Sequence, residues 1–253
     1  MPQPRLAGAV LALLVGAVTA AGAQQAAAPA PAPPPATKLT LDFGLIATSG
    51  NTKLTTVNFG EAFEWTPQSP WSLKETFNVV NGKQNDVQTV DQIKSQVQPR
   101  YNFSPRFGAY GLVGYERNRF AGLAWRWEEG AGLLAHLVKD THNQLDFEVG
   151  ASVNQEQNYL VAAVARENFS SARTFGSYKY SFTEKSYVYQ TLEWLANLKD
   201  GQDQRLNSET GLVAPVVAAV AIKATYLIRY DHEPVPGYLT TDRTLTTGIQ
   251  ITF

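Results

Sequence analysis

Hydrophobic and polar residues alternate along most of the chain after residue 38. In residues 220–231, apolar side chains occupy every second position, and the positions between them include Lys223, Arg229 and Asp231. The same period of two runs through residues 145–154 and through the final segment, 244–253. One apolar face and one polar face at this period are the pattern of a half-buried β-strand. The chain is therefore predicted to consist of strands.

About twelve such segments follow one another, without a convincing helical pattern between them. They are predicted at 38–48, 53–66, 71–82, 87–103, 106–119, 123–139, 142–155, 162–182, 185–198, 203–215, 219–232 and 242–253. Tight connections such as "FSPR" alternate with longer polar ones such as "NGKQND" and "KDGQDQ". Antiparallel strands in even number, with short turns at one end and longer loops at the other, are typical of outer-membrane barrels. The predicted fold class is all-β: a single antiparallel up-and-down transmembrane β-barrel of about twelve strands.

Alternation alone does not distinguish a barrel from a soluble β-sandwich, whose polar face lies in water. Closure favours the barrel, because an open sheet of this size would leave two unprotected edges, and lipid tolerates no unpaired backbone groups. Aromatic residues also cluster near the predicted tight turns, where an interfacial girdle is expected: Trp65, Trp71, Tyr101, Phe103, Phe107, Tyr178, Tyr180 and Phe182. A soluble periplasmic β-sandwich that binds a ligand stays open as an alternative.

The N-terminal segment predicts export. Residues 1–23 combine Arg5, an apolar run and a final Ala-Gly-Ala, which is the pattern of a cleaved secretory signal peptide. Residues 24–37 are rich in Ala and Pro and predict an extended periplasmic linker. Residues 38–253 form the predicted barrel. The expected location is the outer membrane of a Gram-negative-type cell, with both ends of the barrel chain in the periplasm.

Composition excludes several classes of function. The chain has no Cys, and its net charge of −1 gives no electrostatic basis for nucleic-acid binding. The three histidines, His136, His142 and His232, lack the spacing of a metal site, and no G-x-S-x-G segment is present. No catalytic residue, cofactor or metal is predicted. A barrel enzyme that acts on lipids remains an alternative.

Charged residues on the polar faces are predicted to line the lumen. The candidates are Lys74, Lys94, Arg100, Asp146, Glu148, Arg173, Lys179, Glu209, Lys223 and Arg229. Glu193 is also assigned inward, although its strand alternates poorly. These charges either pair and seal the lumen or line a water path. The small basic excess predicts a mild preference for anions if water passes.

Two charged motifs lie near the middle of the chain. In "YERNRF", Glu116, Arg117 and Arg119 form a candidate charge cluster. Three interpretations are open: salt bridges near a loop, Arg residues that meet the anionic groups of lipopolysaccharide, or a constriction inside a pore. In "WEEG", Glu128 and Glu129 are adjacent, so strict alternation would direct one of them toward lipid unless a bulge or an interfacial position relieves it.

Several motifs together resemble a known family. They are "SGNT" at 49–52, "YGLVGYERNRFAGLAWRWEEGAGLLAHLV", "LDFEVG" at 145–150 and "YLIRYDHEPVPGYLTTDRTLTTGIQITF". The chain resembles the salt-induced outer-membrane protein family, a domain family of unknown function. The resemblance covers nearly all of residues 38–253. It implies an outer-membrane β-barrel and no established activity, substrate or catalytic residue.

The predicted function is that of a structural barrel or a narrow passive channel for small solutes or ions, with a possible role in envelope or salt stress implied by the resemblance. The expected partners are outer-membrane lipid, lipopolysaccharide and, during biogenesis, the barrel-assembly machinery. A terminal strand that ends in Phe253 resembles the signal read by that machinery. The residues predicted to face outward are uniformly apolar, and no stripe among them marks a contact with a second copy. This pattern favours a monomer.

Overall fold

The computed structural model describes residues 36–48, 54–159 and 166–253. The predicted signal peptide, most of the predicted linker and the "SGNT" motif lie outside the described residues. Among the residues described, helix is limited to a 3₁₀ turn at Arg119–Ala121. No described helix is long and apolar enough to cross a membrane.

Twelve antiparallel strands close into one barrel, in which each strand pairs with its neighbours in sequence. The first six strands are β1 (Thr37–Thr48), β2 (Leu54–Trp65), β3 (Trp71–Gln84), β4 (Val87–Asn102), β5 (Phe107–Asn118) and β6 (Leu123–Lys139). The others are β7 (Asn143–Asn158), β8 (Glu167–Ser181), β9 (Tyr187–Asn197), β10 (Gln204–Val217), β11 (Val220–Asp231) and β12 (Thr241–Thr252). This up-and-down topology confirms the predicted fold class. The β-sandwich alternative is wrong, because one closed sheet surrounds the interior.

The barrel closes where the last strand meets the first. The register pairs Thr40 with Thr252 and Phe43 with Ile249. Beyond the end of β12, the backbone N–H of Phe253 donates to the carbonyl of Leu39 at 2.8 Å, and the N–H of Leu39 donates back at 3.1 Å. The final aromatic residue is thus part of the closing ladder. Its predicted role as an assembly signal stays a prediction.

The connections differ between the two ends of the barrel, termed here the turn end and the loop end. The tight connections β2–β3, β4–β5, β6–β7, β8–β9 and β10–β11 share the turn end. In the β6–β7 turn, the Asp140 carboxylate accepts the backbone N–H groups of His142 and Asn143, and these bonds lower the pKa of Asp140. The other connections share the loop end, together with the 3₁₀ turn at Arg119–Ala121.

One predicted loop is wrong. The sequence "NGKQND" was predicted to be a longer loop, but β3 and β4 extend through it and leave a turn of two residues at the loop end. Asn85 and Asp86 have φ values of 50° and 64°. Hairpin turns of two residues favour positive φ at both positions, and Asn and Asp tolerate that conformation better than most residues. The polar composition therefore reflects a tight turn.

The outer surface carries an aromatic belt at the turn end. All eight aromatic residues that the sequence placed near the tight turns are exposed there. Trp71 and Tyr101 from neighbouring strands meet edge to face, with ring centroids 4.9 Å apart. At the loop end, Tyr115 and Trp127 form a second outward pair, with centroids 5.1 Å apart. Amphipathic rings near both ends of an apolar wall suit the two interfaces of a membrane.

The outward face is not uniformly apolar. Cross-strand pairs place Glu61 beside Leu41 and Phe77, so this carboxylate projects outward. Glu75 and Glu129 project outward in the same way. Of the two ways to relieve Glu129 that the sequence left open, a bulge is not the one found, because the irregularities in the pairing of β6 with β5 and β7 lie elsewhere along the strand. These three carboxylates interrupt the apolar face that the sequence pattern suggested.

Candidate functional site

Hydrogen bonds between strands that are not neighbours identify the inner face of the barrel. Arg100 of β4 bonds to Glu148 of β7 at 2.6 Å, and Arg229 of β11 bonds to Glu116 of β5 at 2.8 Å. Side chains of distant strands can meet only across the lumen. Because successive side chains of a strand alternate between faces, these contacts determine the facing of the remaining residues.

A charged network crosses the lumen near its middle. We term this group the central network: Arg173, Glu148, Glu193, Arg100 and Tyr110. Arg173 donates to Glu148 and to Glu193 at 2.8 Å each, and to the hydroxyl of Tyr110 at 3.1 Å. Glu148 also accepts from Arg100. Arg173 is 4% exposed and Glu148 is 1% exposed. Buried charges with this number of charge-assisted bonds are held in one arrangement.

Glycines provide the space for the aromatic member of this network. A Cβ on Gly132 would lie 2.8 Å from the Tyr110 ring, and a Cβ on Gly150 would lie 2.7 Å from its hydroxyl. The two glycines face each other on β6 and β7. Tyr110 therefore lies flat against bare backbone, where its hydroxyl meets Arg173. Nearby, the buried side chains of Leu112 and Leu134 fill the inner face next to it.

A second group, the seam network, links strands beside the closing seam. The Asp42 carboxylate accepts from Lys223 at 2.5 Å and from Gln250 at 3.0 Å, and Tyr187 donates to Gln250 at 3.2 Å. These four residues belong to β1, β11, β12 and β9. The seam network therefore bridges the side of the lumen opposite the Arg100–Glu148 contact. Together, the two networks reach across most of the barrel.

A cavity of about 730 Å³ extends from the middle of the barrel to the loop end. Lys94, Glu128 and Glu193 line its inner part, and the β9–β10 and β11–β12 loops line its outer part. We term it the loop-end cavity. Ten of its lining residues are acidic: Glu116, Glu128, Glu156, Glu167, Glu193, Asp200, Asp203, Asp231, Glu233 and Asp242. Five are basic: Lys94, Arg126, Lys199, Arg205 and Arg229. The sequence predicted a small excess of basic residues in the lumen. For the loop-end cavity this prediction is wrong.

Ion pairs neutralise part of the cavity wall. Arg126 bonds to Glu156 at 2.6 Å and lies 3.7 Å from Glu116. Arg205 lies 3.5 Å from Glu156. In contrast, one carboxylate oxygen of Glu128 is buried without a hydrogen-bond partner among the described residues. The acidic excess remains after the basic residues are paired.

The ten residues predicted to line the lumen all lie on the inner face. Arg100, Glu148 and Arg173 meet in the central network, and Lys94 lies 4.0 Å from Glu193 in the inner part of the loop-end cavity. The other residues lie apart from this group and have separate partners: Arg229 with Glu116, Lys223 with Asp42, Asp146 with His136, Glu209 with Tyr189, Lys179 over the Tyr187 ring, and Lys74 beside Glu64 and Gln98.

The candidate charge cluster divides between the two faces of the wall. Glu116 points into the lumen and bonds to Arg229. Arg117 and Arg119 point outward and both pair with Asp91, at 2.7 and 3.7 Å. Asp91 was not among the predicted site residues. Its sequence signal is weak, because alternation directs it outward, where a carboxylate is not expected.

The histidines have structural partners. His136 pairs with Asp146 at 2.7 Å inside the barrel, and the imidazole of His232 bonds to the hydroxyl of Tyr230 at 2.8 Å. The His142 ring lies beside Tyr180. Within the described part of the chain, no histidine side chain bonds to a Ser or Thr hydroxyl, and no group of three or more His, Asp or Glu side chains is arranged to hold a metal ion.

Sequence comparison identifies the family. Residues 41–253 match the family described as "Protein of unknown function, DUF481". The chain belongs to this family. The match spans the whole barrel except the first residues of β1, in agreement with the extent of the resemblance seen in the sequence. No curated protein matches the chain.

Three solved structures are similar to this chain at low sequence identity. The translocator domain of autotransporter NalP from Neisseria meningitidis is 13% identical, with a TM-score of 0.47 over 86% of this chain and 87% of that one. The NanC porin is 11% identical, with a TM-score of 0.49 over 85% and 98%. An anion-selective porin from Comamonas acidovorans is 8% identical, with a TM-score of 0.42 over 86% and 98%.

Proposed function

We propose that this chain is an outer-membrane barrel with its loop end toward the outside of the cell. Two features support the proposal: the even number of antiparallel strands and the aromatic pairs near both ends of an exposed apolar wall. In lipid, closure pairs backbone N–H and C=O groups that an open sheet would leave exposed at its two edges. The turn end then lies in the periplasm, next to the first residues of β1.

We further propose that the resting barrel does not conduct and serves as a structural element of the membrane. The central network carries this proposal, because Arg173 joins Glu148, Glu193 and Tyr110 across the lumen with almost no exposed surface. The seam network occupies the remaining side. Solutes that enter the loop-end cavity would stop at Lys94 and Glu193. A role in salt or envelope stress stays a prediction.

Passage would require the central network to open. The acidic lining of the loop-end cavity would then favour cations over anions, because a ring of like charge attracts the opposite ion. Cation preference in the opened barrel replaces the anion preference suggested by the sequence.

Planar-bilayer recordings test the sealed lumen. We expect no stepwise conductance from the wild type. The double variant Arg173→Ala, Glu148→Ala removes both members of the central pair, so neither is left buried without the other, although Arg100 and Glu193 each lose one partner. This variant should conduct and prefer cations in a salt gradient. Glu129→Gln, which alters an outward carboxylate, should stay silent. Regular conductance steps from the wild type, or silence from a correctly folded double variant, would contradict the proposal.

A further inference from the structure

Basic side chains gather on the outside of the loop end. Arg117 lies on the outward face because it pairs across the strands with Ile93, and Arg119 follows it in the 3₁₀ turn. Lys83 and Arg243 lie near the same end of β3 and β12, Arg166 immediately precedes β8 at that end, and all three are exposed. The outside of this end is therefore basic, whereas the loop-end cavity within it has an acidic excess.

Two of these arginines are held together by one carboxylate. Asp91 is only 6% exposed and pairs with Arg117 at 2.7 Å and with Arg119 at 3.7 Å. One negative charge between two guanidinium groups leaves one positive charge in excess. The side chains of Arg117 and Arg119 are 34% and 50% exposed. We term Arg117, Arg119 and Asp91 the outer arginine site.

The outer arginine site retains hydrogen-bond donors that Asp91 does not use. Arg117 donates one Nη–H to Asp91, whereas the nearest Arg119 Nη lies 3.7 Å from the carboxylate, beyond hydrogen-bond distance. Each guanidinium has five N–H donors in a planar fork, which matches the oxygens of a phosphate group. An unused donor beside an excess positive charge favours an anionic acceptor.

Aromatic side chains place these arginines at the level of a membrane interface. The Arg119 guanidinium lies 5.2 Å from the centroid of the Tyr159 ring, and that of Arg166 lies 5.6 Å from the Trp125 ring. The Tyr115–Trp127 pair lies on the same outward face. Aromatic girdles mark the headgroup level in membrane barrels, so a ligand at this height has its polar group at the interface and its apolar part below it.

We propose that the outer arginine site binds the phosphate of a phosphorylated glycolipid of the outer leaflet, of the lipid A type. The inference rests on the proposed function, because it requires the loop end to face outward. The acidic interior would repel the same phosphate from the loop-end cavity, so the headgroup stays on the outer wall. Charge on the two sides of the wall thus separates a lipid contact from the lumen.

Binding of bisphosphorylated lipid A to the detergent-purified full-length barrel tests the inference. We expect the double variant Arg117→Gln, Arg119→Gln to bind at least about tenfold more weakly, because charge-assisted hydrogen bonds are lost. Arg106→Gln is the matched control, since Arg106 is exposed in the β4–β5 turn at the opposite end of the same hairpin. It should leave the affinity unchanged. Lipid A without phosphates should bind wild type and double variant equally weakly.

Two further arms define the outcomes. Free inorganic phosphate should not displace lipid A at concentrations that leave the barrel folded, because the apolar part of lipid A also contributes to its binding. If the double variant does not fold, Arg119→Gln alone tests the site, since its contact with Asp91 is the longer one. Equal affinity of wild type and folded variants, or equal loss in Arg106→Gln, would overturn the inference. The wild type could also be sealed in bilayers and yet bind lipid A equally well with and without its phosphates. That result would refute only the lipid site and leave the proposed function standing.

Discussion

At the scale of single residues, the position of a carboxylate relative to the wall determines its effect on stability. Glu148 is 1% exposed and accepts bonds from Arg173, Arg100 and Gln98. Glu129 projects outward, between Val113 and Val153, without such partners among the described residues. The first carboxylate holds a network together, and the second costs free energy in an apolar environment.

Alanine substitutions should separate these two cases. Glu148→Ala leaves Arg173 and Arg100 without their shared anion, and breaking a buried ion pair in this way costs about 3–5 kcal/mol. Glu129→Ala should leave stability unchanged or raise it. Reversible urea unfolding in lipid vesicles, followed by Trp fluorescence, measures both. The interpretation fails if the two variants lose stability to a similar extent.

At the scale of strands and their contacts, glycines permit the closest approaches. A Cβ on Gly132 would lie 2.3 Å from the carbonyl oxygen of Val149, which is backbone and cannot rotate away. Gly176, also within a strand, has no atom within 4 Å of its added Cβ. The two glycines therefore differ in what they permit, although the sequence does not distinguish them.

Substitution by alanine tests this difference. Gly132→Ala should force β6 and β7 apart and displace Tyr110, with a loss of about 1–3 kcal/mol, as in other overpacked sites. Gly176→Ala should be neutral or slightly stabilising, because Gly weakens a strand interior. Heat-modifiable mobility on gels and urea midpoints report the result. Equal tolerance of both substitutions would show that the close contact does not matter.

Strands were more predictable than the site, for a physical reason. The period of two in residues 145–154 indicates on which face of the strand each residue lies. The inward placement of Asp146 and Glu148 could therefore be predicted from the sequence. The loop at 81–86 was mispredicted because Asn and Asp are common both in loops and in tight hairpin turns. Turn geometry depends on φ, and composition alone does not reveal φ.

The acidic cavity was missed because its residues come from separated segments. Glu156 continues the inward series of β7, and extending the alternation past residue 154 would have found it. Asp203 and Glu233 reach the cavity from loops, where no periodicity applies. Contacts across the lumen, such as Arg229 with Glu116, depend on the curvature of the closed wall. Alternation gives the facing of a residue but not its partner.

At the scale of the whole molecule, charge is arranged in layers. The loop-end cavity has an excess of carboxylates, the central network spans the middle, and the outer wall at the loop end is basic. The net charge of −1 conceals this separation. The proposed sealed interior and the proposed lipid site both follow from this separation of charge.

The central claim is that the outward side of each strand contacts lipid and the inward side fills an enclosed lumen. Spin labels on single cysteines test it directly, since the natural chain has no Cys. On β8, labels at Ala172, Thr174 and Gly176 should collide often with oxygen and rarely with a water-soluble nickel chelate. Labels at Ser171 and Phe175 should show low oxygen collision, which gives a period of two along the strand. A flat oxygen profile, or nickel access at the three outward positions, would contradict the account.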